Sequence, residues 1–296
     1  MADRVGQQLG SYRLTRLLGR GGFAEVYLGE HLCLHRQAAV KVLTAQMGEE
    51  EAAQFEAEAR TVARLSHPHI VRVFDFAVQE GTPFLVMDYA PGGTLRQRFP
   101  RNIPQNPLVL LPSLLQVADA LHYAHEQRLF HRDVKPENML LDQQGGLLLS
   151  DFGIAVVLHT SRSAPTQEVV GTAHYMAPEQ IQAHPRPASD QYALAVTVYE
   201  WLTGERPFTG SMTEVMAKHL FTPPPPLRER VPDLAPAIEA VVLQALSKDP
   251  RRALPASGRL RTLLSRRANS TRRLTILSEA QRPPPHRFCP KNRSCR

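Results

Sequence analysis

Two polar segments separated by a short apolar stretch constrain the fold of this chain more than any other feature. Residues 131–138 read His-Arg-Asp-Val-Lys-Pro-Glu-Asn, and Asp-Phe-Gly follows at 151–153. The apolar residues between them are interrupted by Gln-Gln-Gly-Gly at 143–146, which predicts two short strands joined by a tight turn. Such a hairpin brings Asn138 and Asp151 side by side, where their oxygen atoms are suited to hold Mg²⁺.

This pair of segments resembles the catalytic loop and the metal-binding segment of the protein kinase family, in its bacterial (Hanks-type) serine/threonine branch. The resemblance implies that Asp133 accepts or orients the proton of the attacking hydroxyl. It also implies that Lys135 stabilises the charge of the transferred phosphate, and that Asn138 and Asp151 bind the metal. The implied cofactors are ATP and Mg²⁺, with Mn²⁺ as an alternative metal.

Two upstream segments resemble the phosphate-binding parts of the same family. Gly-Arg-Gly-Gly-Phe-Ala-Glu-Val at 19–26 is similar to the glycine-rich loop, although Ala24 stands where a third glycine is usual. Ala-Ala-Val-Lys, ending at Lys41, resembles the strand that carries the phosphate-binding lysine. This lysine needs a carboxylate partner, and Glu58 in a predicted helix over residues 49–65 fits that position best.

A short apolar strand ending at Met87 leads into a segment that resembles the kinase hinge. The resemblance implies that the backbone of residues 88–90 binds the adenine edge, while apolar side chains enclose the ring. An ordinary core role for those apolar side chains stays open. The nucleotide-binding residues implied by the resemblance are Leu18, Gly19, Gly21, Gly22, Val26, Ala39, Lys41, Glu58, Met87, Asp88, Ala90 and Leu140.

The segment Gly-Thr-Ala-His-Tyr-Met-Ala-Pro-Glu at 171–179 resembles the end of a kinase activation segment. The resemblance implies that Thr172 contacts both Asp133 and Lys135. It also implies that Asp190, just before an apolar helical run, anchors the catalytic loop from below. Because Lys135 and Thr172 are typical of serine/threonine kinases, the expected substrates are Ser and Thr hydroxyls of proteins.

Arg132, directly before the catalytic aspartate, implies control by phosphorylation of the activation loop, because phosphate pairs with the guanidinium. A merely flexible polar loop is the alternative. The candidate sites of autophosphorylation are Thr166, which matches best, and Thr160, Ser161 and Ser163.

Two other functional classes stay open as alternatives to an active protein kinase. A pseudokinase scaffold usually lacks one of three residues that are present here, namely Lys41, Asp133 and Asp151. A small-molecule phosphotransferase generally lacks the Ala-Pro-Glu end of the activation segment. An active protein kinase is therefore the favoured hypothesis. A homodimer for autophosphorylation in trans is one candidate partner arrangement.

The predicted fold class is α+β, with the two lobes of a protein kinase. The kinase domain is predicted over residues 11–264. Its N-lobe, 11–87, is expected to hold a small antiparallel sheet and one main helix. A hinge over 88–93 leads to a mostly helical C-lobe over 94–264, and residues 265–296 are predicted to be a disordered basic tail.

Charge is unevenly distributed along the chain. Residues 251–296 contain 13 Lys/Arg and one acidic residue, Glu279, whereas the remainder has 22 Lys/Arg and 27 Asp/Glu. The tail is therefore suited to acidic surfaces, but its single aromatic residue predicts no specific nucleic-acid binding. The resemblance to kinases also implies an arginine partner for Glu179. The candidate is Arg252, which is shifted by one residue from the usual position.

Composition sets the remaining limits. The three cysteines do not form a disulfide framework or a metal-ligand spacing. No apolar run approaches the ~18 residues of a membrane span, and no signal region precedes the domain. The sequence therefore predicts a cytoplasmic catalytic domain without a transmembrane or sensor region.

Overall fold

The computed structural model describes residues 4–22, 24–44, 49–152 and 171–250. Its first part is an antiparallel six-stranded sheet with the order β1-β2-β3-β4-β6-β5. The sheet begins before residue 11, so it extends beyond the predicted start of the N-lobe. The strands are β1 (Gln8–Leu9), β2 (Tyr12–Arg20), β3 (Ala24–His31), β4 (Gln37–Leu43), β5 (Val73–Gln79) and β6 (Thr82–Met87).

Strand β4 is buried on both faces because an apolar cluster packs against each of them. Successive side chains of a strand point to opposite faces. Val40 and Val42 therefore pack in one apolar cluster, while Ala39 and Leu43 belong to the other. Phe55 of helix α1 (Glu49–Ala63) joins that second cluster, so the helix covers the face that carries the predicted nucleotide-binding residues.

The second part of the described chain is mostly helical, and together the two parts confirm the α+β, two-lobed kinase fold. Its helices are α2 (Leu95–Arg98), α3 (Pro107–Glu126), α4 (Pro178–Ile181), α5 (Pro187–Thr203), α6 (Met212–Phe221) and α7 (Pro236–Ala245). Helix α5 is buried throughout residues 189–203. A helix surrounded by other elements on all sides can position groups deep in the lobe.

The predicted hairpin is present as β7 (Met139–Leu141) and β8 (Leu147–Leu149), paired antiparallel. The sequence pattern predicts that the first strand begins at Asn138. It begins at Met139, because Asn138 ends a 3₁₀ turn, Pro136–Asn138. The carboxylate of Asp142 accepts hydrogen bonds from two backbone amides of the turn, which holds the hairpin tight. A second 3₁₀ turn, Leu227–Glu229, precedes α7.

Among the described residues, none of the helices has the combination of length and apolar character that crossing a bilayer requires.

A chain of buried hydrogen bonds crosses the helical lobe. Lys248 Nζ donates to the hydroxyl of Tyr192 over 3.0 Å, and that hydroxyl lies 2.9 Å from His219 Nδ1. His219 Nε2 donates to the carbonyl of His174 over 3.0 Å. Burial, aided by the charge of Lys248, lowers the pKa of His219 to about 3, so its imidazole is neutral in the folded protein.

This neutral imidazole predicts acid sensitivity. Between pH 7.5 and pH 5 the free energy of unfolding should fall by about 2 kcal/mol, because the unfolded chain binds a proton near pH 6.5 and the folded chain does not. Urea titrations at both pH values measure the fall. It should shrink in His219→Gln and persist in His122→Gln, since His122 is exposed. An equal fall in both variants would contradict the assignment.

Candidate active site

The loop 131–138 is anchored by a carboxylate of the buried helix α5. Asp190 Oδ1 accepts the backbone N–H of Arg132 over 2.8 Å, and Oδ2 accepts that of His131 over 2.9 Å. His125 Nε2 lies 2.7 Å from the same Oδ2. Gln180 of α4 donates to the carbonyl of Arg132, whose φ of 67° is rare for a non-glycine residue. The contact predicted for Asp190 is present.

Asp133 is surrounded by hydrogen-bond donors. Lys135 Nζ lies 2.7 Å from Asp133 Oδ2, and Asn138 Nδ2 donates to that oxygen over 2.9 Å. The hydroxyl of Thr172 donates to Oδ1 over 3.2 Å and accepts from Lys135 Nζ over 2.9 Å. Both contacts predicted for Thr172 are therefore present. The arrangement fixes a largely buried carboxylate, 14% exposed, that can accept a proton from an incoming hydroxyl.

Lys41 of β4 and Asp151 form an ion pair between the sheet and the helical lobe. Lys41 Nζ lies 2.5 Å from Asp151 Oδ1. Burial works to raise the pKa of Asp151, but the charge and hydrogen bond of Lys41 hold it below its ordinary value. The predicted partner of Lys41 is Glu58, but in the described residues Lys41 pairs with Asp151 instead, and the pairing with Glu58 stays a prediction.

Glu58 of α1 lies in the field of Arg132 instead. Its Oε2 is buried without a hydrogen-bond partner, and Arg132 Nε is also buried without one. Burial raises the pKa of Glu58, while the charge of Arg132 acts in the opposite direction. Lys41 is thus neutralised by Asp151, whereas Glu58 Oε2 has no hydrogen-bond partner in the structure. Elsewhere on this helix, Glu56 is a surface residue paired with Arg60.

In the glycine-rich segment the structure describes residues 19–22 and 24–26, and it leaves open space at Gly19. Gly19 pairs with Val26 across β2 and β3, and the N–H of Gly21 donates to the carbonyl of Ala24 over 2.8 Å. A Cβ built at Gly19 would meet no atom within 4 Å. Packing within the protein therefore does not require glycine at this position, whereas the close approach of a ligand would.

The residues predicted to enclose adenine lie together at the junction of the two lobes. Ala39 and Met87 are paired neighbours on β4 and β6, and both are buried. Val26 and Leu140 are partly buried against the same cluster, whereas Leu18 is exposed. Their burial confirms the core role, and their part in enclosing adenine stays a prediction.

The hinge backbone keeps one acceptor available next to these side chains. The N–H of Asp88 donates to the carbonyl of Arg72 over 3.0 Å, and its carboxylate pairs with the Arg72 guanidinium. The carbonyl of Asp88 and the backbone of Ala90 stay the groups predicted to bind the adenine edge.

The predicted metal ligands fit a hard divalent cation. Asn138 uses its Nδ2 to donate to the carbonyl and carboxylate of Asp133, which leaves its Oδ1 as a ligand atom. Ser150 donates its N–H to the carbonyl of Asn138 over 2.9 Å, which ties the two ends of the hairpin together. With the carboxylate of Asp151 at the other end, the hairpin offers oxygen donors of the kind that Mg²⁺ prefers.

A charged cluster beside the catalytic loop was missed by the sequence analysis. Arg96 of α2 donates from Nη1 to Glu200 over 2.6 Å, from Nε to Glu137 over 2.8 Å, and from Nη2 to the hydroxyl of Tyr175 over 2.6 Å. Burial works to raise the pKa of Glu200, but Arg96 holds it below its ordinary value. The one available signal was an acidic residue within the apolar run 192–202.

Several predictions fall on residues outside the described ranges. Within the described part, Glu179 accepts a hydrogen bond from Ser189 Oγ over 2.7 Å. The residues outside these ranges are Gly153, the candidate phosphorylation sites Thr160, Ser161, Ser163 and Thr166, the proposed Glu179 partner Arg252, and the whole basic tail.

Comparison with known proteins agrees with this geometry. Residues 12–261 match the family described as protein kinase domain. The chain is 35% identical to serine/threonine-protein kinase PrkC of Bacillus subtilis over 251 residues, which cover 83% of this chain and 39% of PrkC. For serine/threonine-protein kinase PknB of Mycobacterium tuberculosis the identity is 38% over 265 residues, which cover 86% of this chain and 42% of PknB.

A third relative is serine/threonine-protein kinase PknF of Mycobacterium tuberculosis. It is 40% identical over 259 residues, which cover 83% of this chain and 54% of PknF. The chain therefore matches between about two fifths and about half of the length of these curated relatives.

Proposed function

Because the chain belongs to the protein kinase family, we propose that it transfers the γ-phosphate of ATP to Ser and Thr hydroxyls of proteins. The observation that carries this proposal is the carboxylate of Asp133, held in place by Lys135, Asn138 and Thr172. A poor nucleophile such as a hydroxyl needs a positioned acceptor for its proton, and this carboxylate meets that need.

The other site residues would have separate roles toward ATP. Lys135 would stabilise charge on the transferred γ-phosphate, and Lys41 with the glycine-rich loop would bind the α- and β-phosphates. Asn138 and Asp151 would hold Mg²⁺ or Mn²⁺, which when bound supplies charge neutralisation at the phosphates. The ion pair between Lys41 and Asp151 supports these assignments, because it brings the two groups together between the sheet and the helical lobe.

The choice of Ser/Thr over Tyr is supported by residues and relatives together. Lys135 and Thr172 lie in contact at the catalytic carboxylate, as the serine/threonine branch requires. The matched relatives carry the name serine/threonine-protein kinase. A pseudokinase scaffold is not favoured, because Lys41, Asp133 and Asp151 are all present. Lys41 pairs with Asp151, and Asp133 pairs with Lys135.

Several finer statements belong to the same proposal. Autophosphorylation of Thr166 in trans would require a transient homodimer, and phosphate on that loop would supply a partner for Arg132. A cytoplasmic location is consistent with the need for ATP. The basic tail would contact acidic surfaces through its lysines and arginines.

The test is incubation of the purified protein with γ-labelled ATP and Mg²⁺ or Mn²⁺, followed by mapping of labelled residues. We expect label on Ser or Thr in the wild type and none in Lys41→Met, since the phosphates lose their ammonium. Lys218→Met, which removes a lysine of α6, should retain labelling. Absence of label on the protein and on a generic basic substrate, with nucleotide binding intact, would favour the scaffold alternative.

A further inference from the structure

Glu25 is a buried carboxylate next to the glycine-rich turn. Its side chain is 2% exposed, and it follows Ala24 at the start of β3. Successive side chains of a strand point to opposite faces. Ala24 and Val26 pack in the apolar cluster on the face predicted to bind the nucleotide, whereas Tyr27 belongs to the cluster on the other face. Glu25 therefore lies on the face of the sheet that is turned away from the nucleotide.

Three side chains surround the carboxylate of Glu25. Arg20 Nε lies 2.8 Å from Oε1, the hydroxyl of Tyr27 donates to Oε2 over 2.8 Å, and Arg4 Nε lies 4.0 Å from Oε2. The contact with Arg20 is an ion pair rather than a hydrogen bond of regular geometry. A buried carboxylate destabilises a fold unless opposite charge and hydrogen-bond donors compensate it. The guanidinium of Arg20 is the nearest of these charges, so it is the principal partner of Glu25.

The Arg20–Glu25 pair lies at the base of the glycine-rich turn. The two residues are directly opposite each other on β2 and β3, and the pairing of these strands shifts register next to Gly19. Within the turn, the N–H of Gly21 donates to the carbonyl of Ala24 over 2.8 Å. A register shift disrupts the ladder of backbone hydrogen bonds locally. The ion pair therefore adds a link between the strands where their ladder is irregular.

Order in this turn has a direct consequence for phosphate binding. Glycine loses more conformational freedom than any other residue when its backbone is fixed. Glycines occupy positions 19, 21 and 22, so a ligand that must order them loses affinity. A link that joins the two strands before the ligand arrives reduces that loss.

We propose that Glu25 is a positioning residue for ATP, which holds the base of the glycine-rich turn in its phosphate-binding conformation through the ion pair with Arg20. It acts from the opposite face of the sheet, without contacting the nucleotide. The inference rests on the proposed ATP-dependent kinase activity.

A direct contact between Arg20 and the phosphates is the rival role, and it predicts the opposite result. If the guanidinium bound a phosphate, Glu25 would compete for it, and Glu25→Gln would release Arg20 and strengthen ATP binding. If Arg20 acts through its pair with Glu25, the same substitution weakens ATP binding. The structure favours the second role, because the guanidinium contacts a carboxylate on the face that is turned away from the nucleotide.

The test compares the dissociation constants of ATP and of adenosine, measured by calorimetry with Mg²⁺ present. We expect Glu25→Gln to raise the Kd of ATP by about threefold to fivefold, the size of one partly exposed ion pair, and to change that of adenosine by less than about 1.5-fold. Adenosine has no phosphate, so the comparison separates an effect on the turn from general damage to the cleft. In steady-state kinetics the KM for ATP should rise while kcat is retained.

A double-mutant cycle assigns the effect to the ion pair. Arg20→Gln should raise the Kd of ATP as much as Glu25→Gln does, and the double variant should bind ATP no more weakly than either single variant. Arg20→Lys keeps the positive charge and should retain most of the affinity.

The same two strands contain a matched control pair. Arg13 and Glu30 are also directly opposite each other on β2 and β3, but both are exposed, and Glu30 pairs with His35 instead. Arg13→Gln and Glu30→Gln should therefore leave the Kd of ATP unchanged.

The possible outcomes distinguish this inference from the proposed function. Unchanged or tighter ATP binding in Glu25→Gln, additive effects in the double variant, or an equal loss for ATP and adenosine would overturn the inference and leave the kinase activity standing. If Glu25→Gln did not fold, Arg20→Gln would decide the question in the same assay, since the Arg20 side chain is 51% exposed. A wild-type protein that bound no ATP would contradict the proposed function itself.

Discussion

Replacement of Asp133 by asparagine is expected to lower kcat for peptide phosphorylation by about 10²–10⁴-fold. The asparagine keeps the size of the side chain but cannot take the proton of the hydroxyl. Its amide would also place an N–H group against Lys135 or Asn138, which now donate to the carboxylate. Steady-state kinetics on a Ser/Thr peptide measure the loss.

Nucleotide affinity separates this loss from damage to the site. Asp133 lies outside the set of predicted nucleotide-binding residues, so binding of a fluorescent ATP analogue should be retained in Asp133→Asn. The matched control is Asp233→Asn, which makes the same chemical change at an exposed residue and should leave kcat unchanged. A loss in kcat of less than about tenfold would contradict the role of Asp133 as the proton acceptor.

Replacement of Glu200 by glutamine should lower the free energy of unfolding by about 3 kcal/mol. Glu200 is 2% exposed and accepts bonds from Arg96, Arg101 and Tyr175. The neutral amide leaves the guanidinium of Arg96, which is only 17% exposed, without its main counter-charge. Chemical denaturation of the wild type and the variant measures the difference.

The same substitution at a surface pair provides the comparison. Glu205 lies 2.5 Å from Arg230, but both side chains are substantially exposed. Glu205→Gln should therefore change the unfolding free energy by no more than about 1 kcal/mol. If the two variants lost equal stability, burial would not be the reason that the Glu200 ion pairs matter.

Local patterns in the sequence predicted the parts of the site that are close along the chain. The hairpin between Asn138 and Asp151 is specified by its own turn residues and apolar triplets, so it was predicted within one residue. The link between Asp190 and the loop spans 58 residues, yet a resemblance to known kinases was enough to predict it.

Contacts that depend on how whole elements pack were not predictable in the same way. The choice of Asp151 over Glu58 as the partner of Lys41 depends on the placement of α1 against the sheet and the catalytic loop, and no local pattern encodes it. Arg96 and Glu200 are 104 residues apart, and no residue close to either of them in the sequence indicates that they pair. Such pairs are decided by tertiary packing.

Helix α5 also gives the protein an optical reporter. The chain has a single tryptophan, Trp201, which is buried on α5 with its indole N–H unbonded and its ring against Phe99. The same helix carries Asp190, the anchor of the catalytic loop. Intrinsic fluorescence therefore comes from one residue in the element that positions the catalytic loop, and its emission reports the integrity of that anchor without any label.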